Sequence, residues 1–157
     1  MKFGIRKHNP GDIGWIIGKH GEIYTNEFNF DPGFEIHIAN KFIDFFKDPF
    51  NTVWIAEVNG ERAGSIAVSK KSDKKAFVNF VLVLNKHRGH KIAQKLFEVV
   101  IRHCRDHQFE LLELETYNCL ESARRLYDKI GFKITEVNKD MELFGLTIDQ
   151  EFWEMSL

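Results

Sequence analysis

His87-Arg88-Gly89-His90-Lys91-Ile92-Ala93-Gln94-Lys95-Leu96 is the stretch whose reading decides the fold. An apolar run, Phe77 to Leu84 with only Asn79 interrupting, leads into it. An amphipathic pattern ending near Gln108 leads out. A buried strand therefore enters a basic turn, and the turn opens a helix. The first N–H groups of a helix lack intrahelical partners and sit at the positive end of its dipole. Such a turn suits an anion, above all a phosphate. Arg88, His90, Lys91 and Lys95 add charge and donors around it. A plain strand-to-helix connection with solvated basic residues stands as the alternative at this point.

Outward from the turn, the pattern alternates between strands and helices. Upstream, Lys2 to Lys7 reads as a strand, and Asn9-Pro10-Gly11-Asp12 as a helix start capped by Asn9. A helix over Ile13 to Phe28 follows, with Gly14, Gly18 and Gly21 on roughly one face, where another backbone has room to approach. Glu35 to Asp48 predicts a second helix, closed by Pro49. Thr52 to Val58 and Glu61 to Ser69 are strands joined by the hairpin signal Asn59-Gly60. Ala76 to Leu84 is apolar on both faces, as a strand buried on both sides must be.

Downstream, Ala93, Leu96, Phe97, Val100, Ile101 and Cys104 form one helical stripe. Glu110 to Thr116 is a strand, Leu120 to Ile130 a helix capped by Gly131, Lys133 to Val137 a strand, and Leu146 to Ser156 holds the last one. The order is β-α-α-β-β-β-α-β-α-β-β. An α/β fold is expected, with a central mixed, mostly antiparallel sheet and helices on both faces. One domain over residues 1–157 accommodates it.

Composition narrows the function classes. The chain has 157 residues, 43% hydrophobic and 29% charged, with a net charge of −1, which argues against general nucleic-acid binding. Its 15 phenylalanines point to a large aromatic core or an apolar pocket. Cys104 and Cys119 are its only cysteines and give no disulfide framework. The N-terminus lacks a signal-peptide core, and no apolar run reaches the ~20 residues of a membrane span. A cytoplasmic protein without metal, membrane or nucleic-acid partners is the expectation. The Phe- and Trp-rich C-terminal strand suits pairing into a homodimer.

Two motifs carry a resemblance. Arg88, Gly89, Ile92 and Ala93 between strand and helix resemble the pyrophosphate-binding turn of the GNAT superfamily of N-acetyltransferases. Lys91 departs from it, because glycine is usual there. If the position needs a positive φ, lysine costs roughly 1 kcal/mol or more. If it is already helical, lysine is tolerated and its ammonium can help hold phosphate. Thr116, Leu120, Ala123, Leu126, Tyr127, Gly131 and Phe132 resemble the second acetyl-CoA-binding motif of the same superfamily. More narrowly, Asp12 to Trp15, His20-Gly21, Tyr24 to Phe28 and the ending from Phe144 to Glu154 resemble acetyltransferase domains often fused behind MarR-type regulators.

The resemblance implies acetyl-CoA as co-substrate and a small-molecule or peptide amine as acceptor. It implies that the central strand splays from its parallel neighbour, freeing backbone near Leu82, Val83 and Leu84 for the pantetheine amides. Arg88, Gly89, His90, Lys91, Ile92 and Ala93 would hold the pyrophosphate, and Asn118 would either cap the following helix or reach the pantetheine arm. Tyr127 would protonate the leaving thiolate, since a phenol stays protonated near pH 7. Glu27 heads the candidates for general base, with His20, Glu113 and Glu115 open beside it. Asn79 either lines the acceptor site or bonds within the core, and Trp15, Tyr24, Phe28 and Phe30 are candidates for its wall. No cysteine is placed for a covalent intermediate, so direct transfer in a ternary complex is expected. A non-catalytic acyl-CoA sensor and a protein-interaction domain remain the rival readings.

Overall fold

A computed structural model describes all 157 residues, Met1–Leu157. The elements are β1 (Phe3–Lys7), α1 (Asp12–Phe28), α2 (Gly33–Phe42), β2 (Thr52–Val58), β3 (Glu61–Lys70), β4 (Lys75–Val83), α3 (Ile92–Asp106), β5 (Leu111–Tyr117), α4 (Glu121–Ile130), β6 (Lys133–Leu143) and β7 (Leu146–Ser156). The expected element order holds. A seven-stranded sheet runs β1-β2-β3-β4-β5-β7-β6. Every neighbouring pair is antiparallel except β4 and β5, which the crossover through α3 makes parallel.

Each face of the sheet buries its own core. Ile66, Val68, Leu112 and Leu114 pack under Leu96, Phe97 and Val100 of α3. Val53, Ile55 and Ala67 pack under Ile16 of α1 and Phe34, Ile38 and Phe42 of α2. The hairpin between β2 and β3 turns on Asn59 (φ 51°) and Gly60 (φ 82°), the pair of positive dihedrals that a tight two-residue turn demands. No helix is long and apolar enough to cross a membrane.

Four expectations need correction. Asn9 does not cap α1 through its side chain. Instead the buried Asp12 carboxylate accepts the Asn9 N–H at 2.6 Å and takes Arg6 and Arg62 at 2.7 Å each. These hydrogen bonds and charges outweigh burial and hold the Asp12 pKa down at about 2. Gly14 and Gly18 leave open space rather than a close backbone approach. α2 stops at Phe42, and a 3-10 turn over Phe45–Lys47 replaces its expected last turns. The tighter winding lets Phe42 and Phe45 both reach the Phe80 ring, at 3.9 and 5.7 Å between centroids. Finally, β6 runs on to Leu143 and turns through Phe144 and Gly145. β7 therefore lies between β5 and β6, so its Phe152 and Trp153 belong to an interior strand and offer no free edge for a second copy.

Candidate active site

The parallel pairing of β4 with β5 lasts only three residues, Lys75, Ala76 and Phe77 against Leu111, Leu112 and Glu113. Beyond them the strands diverge, as expected. A bulge in β4 makes the divergence. The β3–β4 register shifts between Ser65 and Ala67, opposite Phe80, whose φ is 55°. That dihedral is strained for an aromatic residue. It is held by the Phe42 stack and by the Ser65 hydroxyl, which donates to the Phe80 carbonyl at 2.7 Å.

The bulge decides which backbone groups are free. The Leu84 N–H donates to the Ala63 carbonyl at 2.8 Å. The Leu82 carbonyl lies so close to β3 that a Cβ on Gly64 would stand 2.5 Å from it. Leu82 and Leu84 are therefore directed at β3. By the period of two, Val81 and Val83 direct their polar groups into the wedge. Of the three residues expected to present free backbone, only Val83 is directed into the wedge, and there its carbonyl accepts from Arg88. Val81 was missed, because a bulge leaves no mark in an unbroken apolar run.

Two spaces fill the wedge. The outer one, about 410 Å³, lies between α1 (Ile23, Glu27, Phe28), the end of β4 (Val81, Leu82, Val83) and the start of α4 (Ser122, Ala123, Leu126). The inner one, about 80 Å³, lies beneath α2 between the splayed strands, with His20, His37, Lys41, Asn79, Glu115 and Thr116 among its walls. Tyr24, Val81, Leu120 and Tyr127 line both. They form the partition where a group in one space meets a group in the other.

Tyr127 is 7% exposed and packs edge-on against Phe97, Phe132 and Trp153. Its hydroxyl bonds no protein group, so it is not a core tyrosine capping a carbonyl. Burial raises its pKa above the ordinary phenol value, which keeps the proton on oxygen. Burial likewise pushes Tyr24 up to about 12. Cys119 also lines the outer space, and burial raises its pKa, which leaves it poor in thiolate.

At the outer end of the cleft the basic turn is fully formed. Gly89 (φ 86°) and Lys91 (φ 60°) are both left-handed, and α3 begins without a side-chain cap. Its first N–H groups face a hollow of about 250 Å³ lined by His87, Arg88, Gly89, Lys91, Ile92, Ala93 and, from α4, Lys129. His90 is exposed and stands outside it. Lys129 was not anticipated, because it comes from outside the turn motif. Arg88 is turned inward. It donates to the Val83 carbonyl at 3.2 Å and to Glu27 at 3.0 Å, clipping α1 to the end of β4.

The four candidate bases separate. Glu27 is held by Arg88 at the outer cleft. Glu113 lies at the far end of β5, paired with Lys71 and Lys75. His20 and Glu115 line the inner space. His20 Nδ1 contacts the Ile16 carbonyl at 2.8 Å, so Nδ1 carries the proton and Nε2 keeps its lone pair. Burial lowers the His20 pKa to about 4, so the ring is neutral near pH 7. Asn79 fulfils both expectations, lining the inner space while donating to Ser69 and to the Phe77 carbonyl. Tyr24 and Phe28 line the cleft, whereas Trp15 and Phe30 do not. Asn118 neither caps α4 nor enters the cleft. It exchanges hydrogen bonds with the Asp149 backbone at 3.1 and 2.9 Å, pinning β5 to β7.

Residues 20–132, which span both motifs and the whole cleft, match the model of the acetyltransferase (GNAT) family. The chain belongs to this family. Among its GNAT relatives, a probable N-acetyltransferase camello of Xenopus tropicalis is 31% identical over 86 residues, 54% of this chain and 39% of the relative. A rat N-acetyltransferase family 8 member 2 is 34% identical over 103 residues, 60% of this chain and 46% of the relative. The chain thus spans less than half the length of these relatives. In fold it is similar to a GNAT acetyltransferase from Staphylococcus aureus Mu50, with a TM-score of 0.82 at 22% identity over 99% of both chains. The superfamily resemblance is borne out. The narrower likeness to domains fused behind MarR-type regulators finds no support in these relatives.

Proposed function

We propose that the chain is a single acetyltransferase domain over residues 1–157 that moves an acetyl group from acetyl-CoA to a primary amine. Transfer is direct, within a ternary complex. One observation carries the reading: the outer cleft, which ends on an uncapped helix N-terminus, meets the inner cavity at Tyr24 and Tyr127. The yncA acetyltransferase of Salmonella typhimurium, similar in fold at a TM-score of 0.80 and 17% identity over 99% of this chain, was solved with its cofactor acetyl-CoA. The free thiols Cys104 and Cys119 accord with a reducing, cytoplasmic setting.

Acetyl-CoA supplies the activated acyl group, and the residues position and protonate. The α3 N-terminus with Lys91 and Lys129 takes the pyrophosphate. The open edge of β4, at Val81 and the Val83 N–H, takes the pantetheine amides. The amine enters from the inner cavity and sheds its proton toward Glu115, directly or through water, with His20 Nε2 as a neutral acceptor nearby. Tyr127 gives its proton to the departing sulfur. Glu27, held by Arg88, sets the α1 side of the cleft rather than acting as the base.

The test begins with a thermal shift. Acetyl-CoA at ~100 Kd stabilises by roughly 2.7 kcal/mol, or about 5–10 °C for a chain of this size. Gly89→Asp, which puts a carboxylate into the phosphate hollow, abolishes the shift. Tyr127→Phe keeps the shift and lowers thiol release with an active amine by about 10²–10⁴. Absence of any shift in the wild type refutes the reading, and a shift without turnover on any amine converts it into a sensor.

A further inference from the structure

The inner cavity carries charges that acetyl transfer to a plain amine does not require. Lys41 of α2 lines it, half-buried, with no ion-pair or hydrogen-bond partner. Its ammonium lies over the Phe77 and Phe80 rings, 5.8 and 5.5 Å from their centroids. Glu115 of β5 lines the same cavity. It accepts the Tyr117 hydroxyl at 3.1 Å and meets no cation. The two opposite charges share this cavity yet form no salt bridge within 4.0 Å.

We propose that the acceptor is an amino acid-type zwitterion, its ammonium received by Glu115 and its carboxylate by Lys41. The inference rests on the N-acetyltransferase reading and names its acceptor class. A half-buried ammonium without a counter-ion carries a desolvation cost that an incoming anion offsets. Burial lowers the Lys41 pKa, with Glu115 opposing that shift. A polyamine is disfavoured, because its second cation would face Lys41. A lysine side chain on a peptide brings nothing for Lys41 to hold. The cavity volume of about 80 Å³ holds roughly two or three waters at ~30 Å³ each, enough for the charged head of an amino acid and little more. The remainder of a larger acceptor must extend past the aromatic wall formed by Tyr24, Phe34 and Tyr117.

The experiment measures thiol release from acetyl-CoA with the twenty common amino acids and, for each active one, its carboxamide. The carboxamide keeps shape and amine and removes the negative charge. The same pairs are run on Lys41→Met, which keeps the aliphatic stem over Phe77 and Phe80, and on Lys41→Arg, which keeps the charge. The wild type should favour the carboxylate by about tenfold or more in kcat/KM, mostly through KM. Lys41→Met should bring that ratio toward one, and Lys41→Arg should retain most of it. A wild type that uses the carboxamide equally well overturns the proposal, as does a Lys41→Met chain with the ratio intact. If acetyl-CoA stabilises the protein but only carboxylate-free amines turn over, the acceptor class is wrong while the acetyltransferase reading stands. If acetyl-CoA itself gives no thermal shift, both fall together.

Discussion

Lys91 occupies a backbone position that a side chain should avoid, at φ 60° and ψ 23° immediately before α3. A left-handed conformation costs a residue with a Cβ about 1–2 kcal/mol. Glycine escapes that cost but loses roughly 0.5–1 kcal/mol through its freer unfolded state. Lys91→Gly should therefore stabilise the ligand-free protein by about 0.5–1 kcal/mol. At roughly 2–4 °C per kcal/mol for a chain of this length, Tm rises by about 1–4 °C in a calorimetric scan. Lys91→Ala is the control, since it keeps the Cβ and the strain; removing a cation from the positive end of α3 should raise Tm by less than Lys91→Gly does. The order reverses with ligand. Both variants lose the ammonium beside the phosphate hollow, a contribution of about 0.3–1 kcal/mol. The extra shift induced by acetyl-CoA should therefore be smaller in both than in the wild type. A Lys91→Gly chain that melts lower, or a Lys91→Ala chain that gains as much, refutes the strain argument.

Three further outcomes follow from the same geometry. Asp12→Asn should cost about 2 kcal/mol in urea unfolding at pH 7, from a pKa held near 2 against an unfolded value of 3.8. That contribution is present above pH 4 and is lost as pH falls toward 2, so the wild type and variant should converge there. His20 is depressed to about 4 from 6.5, so the unfolded chain takes up its proton first. Stability should drop by about 3 kcal/mol as pH falls from 6.5 to 4, and His20→Asn should flatten that slope. Gly64→Ala places a methyl 2.5 Å from the Leu82 carbonyl. It should cost roughly 1–3 kcal/mol and weaken acetyl-CoA binding by displacing the free edge of β4, read by melting with and without ligand.

The fold was legible because its strongest signals are local. Asn59-Gly60 can make only a tight turn, and the apolar run before Arg88 had to be a strand buried on both faces. The candidate site was legible only where chemistry lies in short motifs, as at the basic turn and at Tyr127. What escaped depends on register or on distance. The bulge at Phe80 inverts which carbonyls near the end of β4 are free, and no residue type announces it. Glu113 and Glu115 share one strand face by period two, yet Lys71 and Lys75 claim the first while the second faces the cavity. Glu27 looked like an available carboxylate until Arg88 folded across onto it. The length of β6 was hidden for another reason. It is an edge strand exposed along most of its length, so no buried apolar stripe carries its pattern past Val137.

The site depends on a sheet that is deliberately incomplete. A fully paired β4 would satisfy Val81 and Val83 and leave no edge for a ligand. Backbone polar groups left open within a protein are costly unless water or a ligand reaches them. Here the opening is held from three sides. Ser65 fixes the Phe80 carbonyl, Phe42 and Phe45 clamp its ring, and Asn118 pins the end of β5 to β7 instead of letting it close on β4. The 3-10 turn after α2 thus has a role, because it is the element that brings Phe45 onto Phe80. The aromatic residues on the α1–α2 face serve the same end. An antiparallel sheet core alone does not need fifteen phenylalanines. A wedge held open between two strands, with a strained aromatic residue at its apex, needs rigid side chains large enough to fill the space that strand pairing would otherwise take.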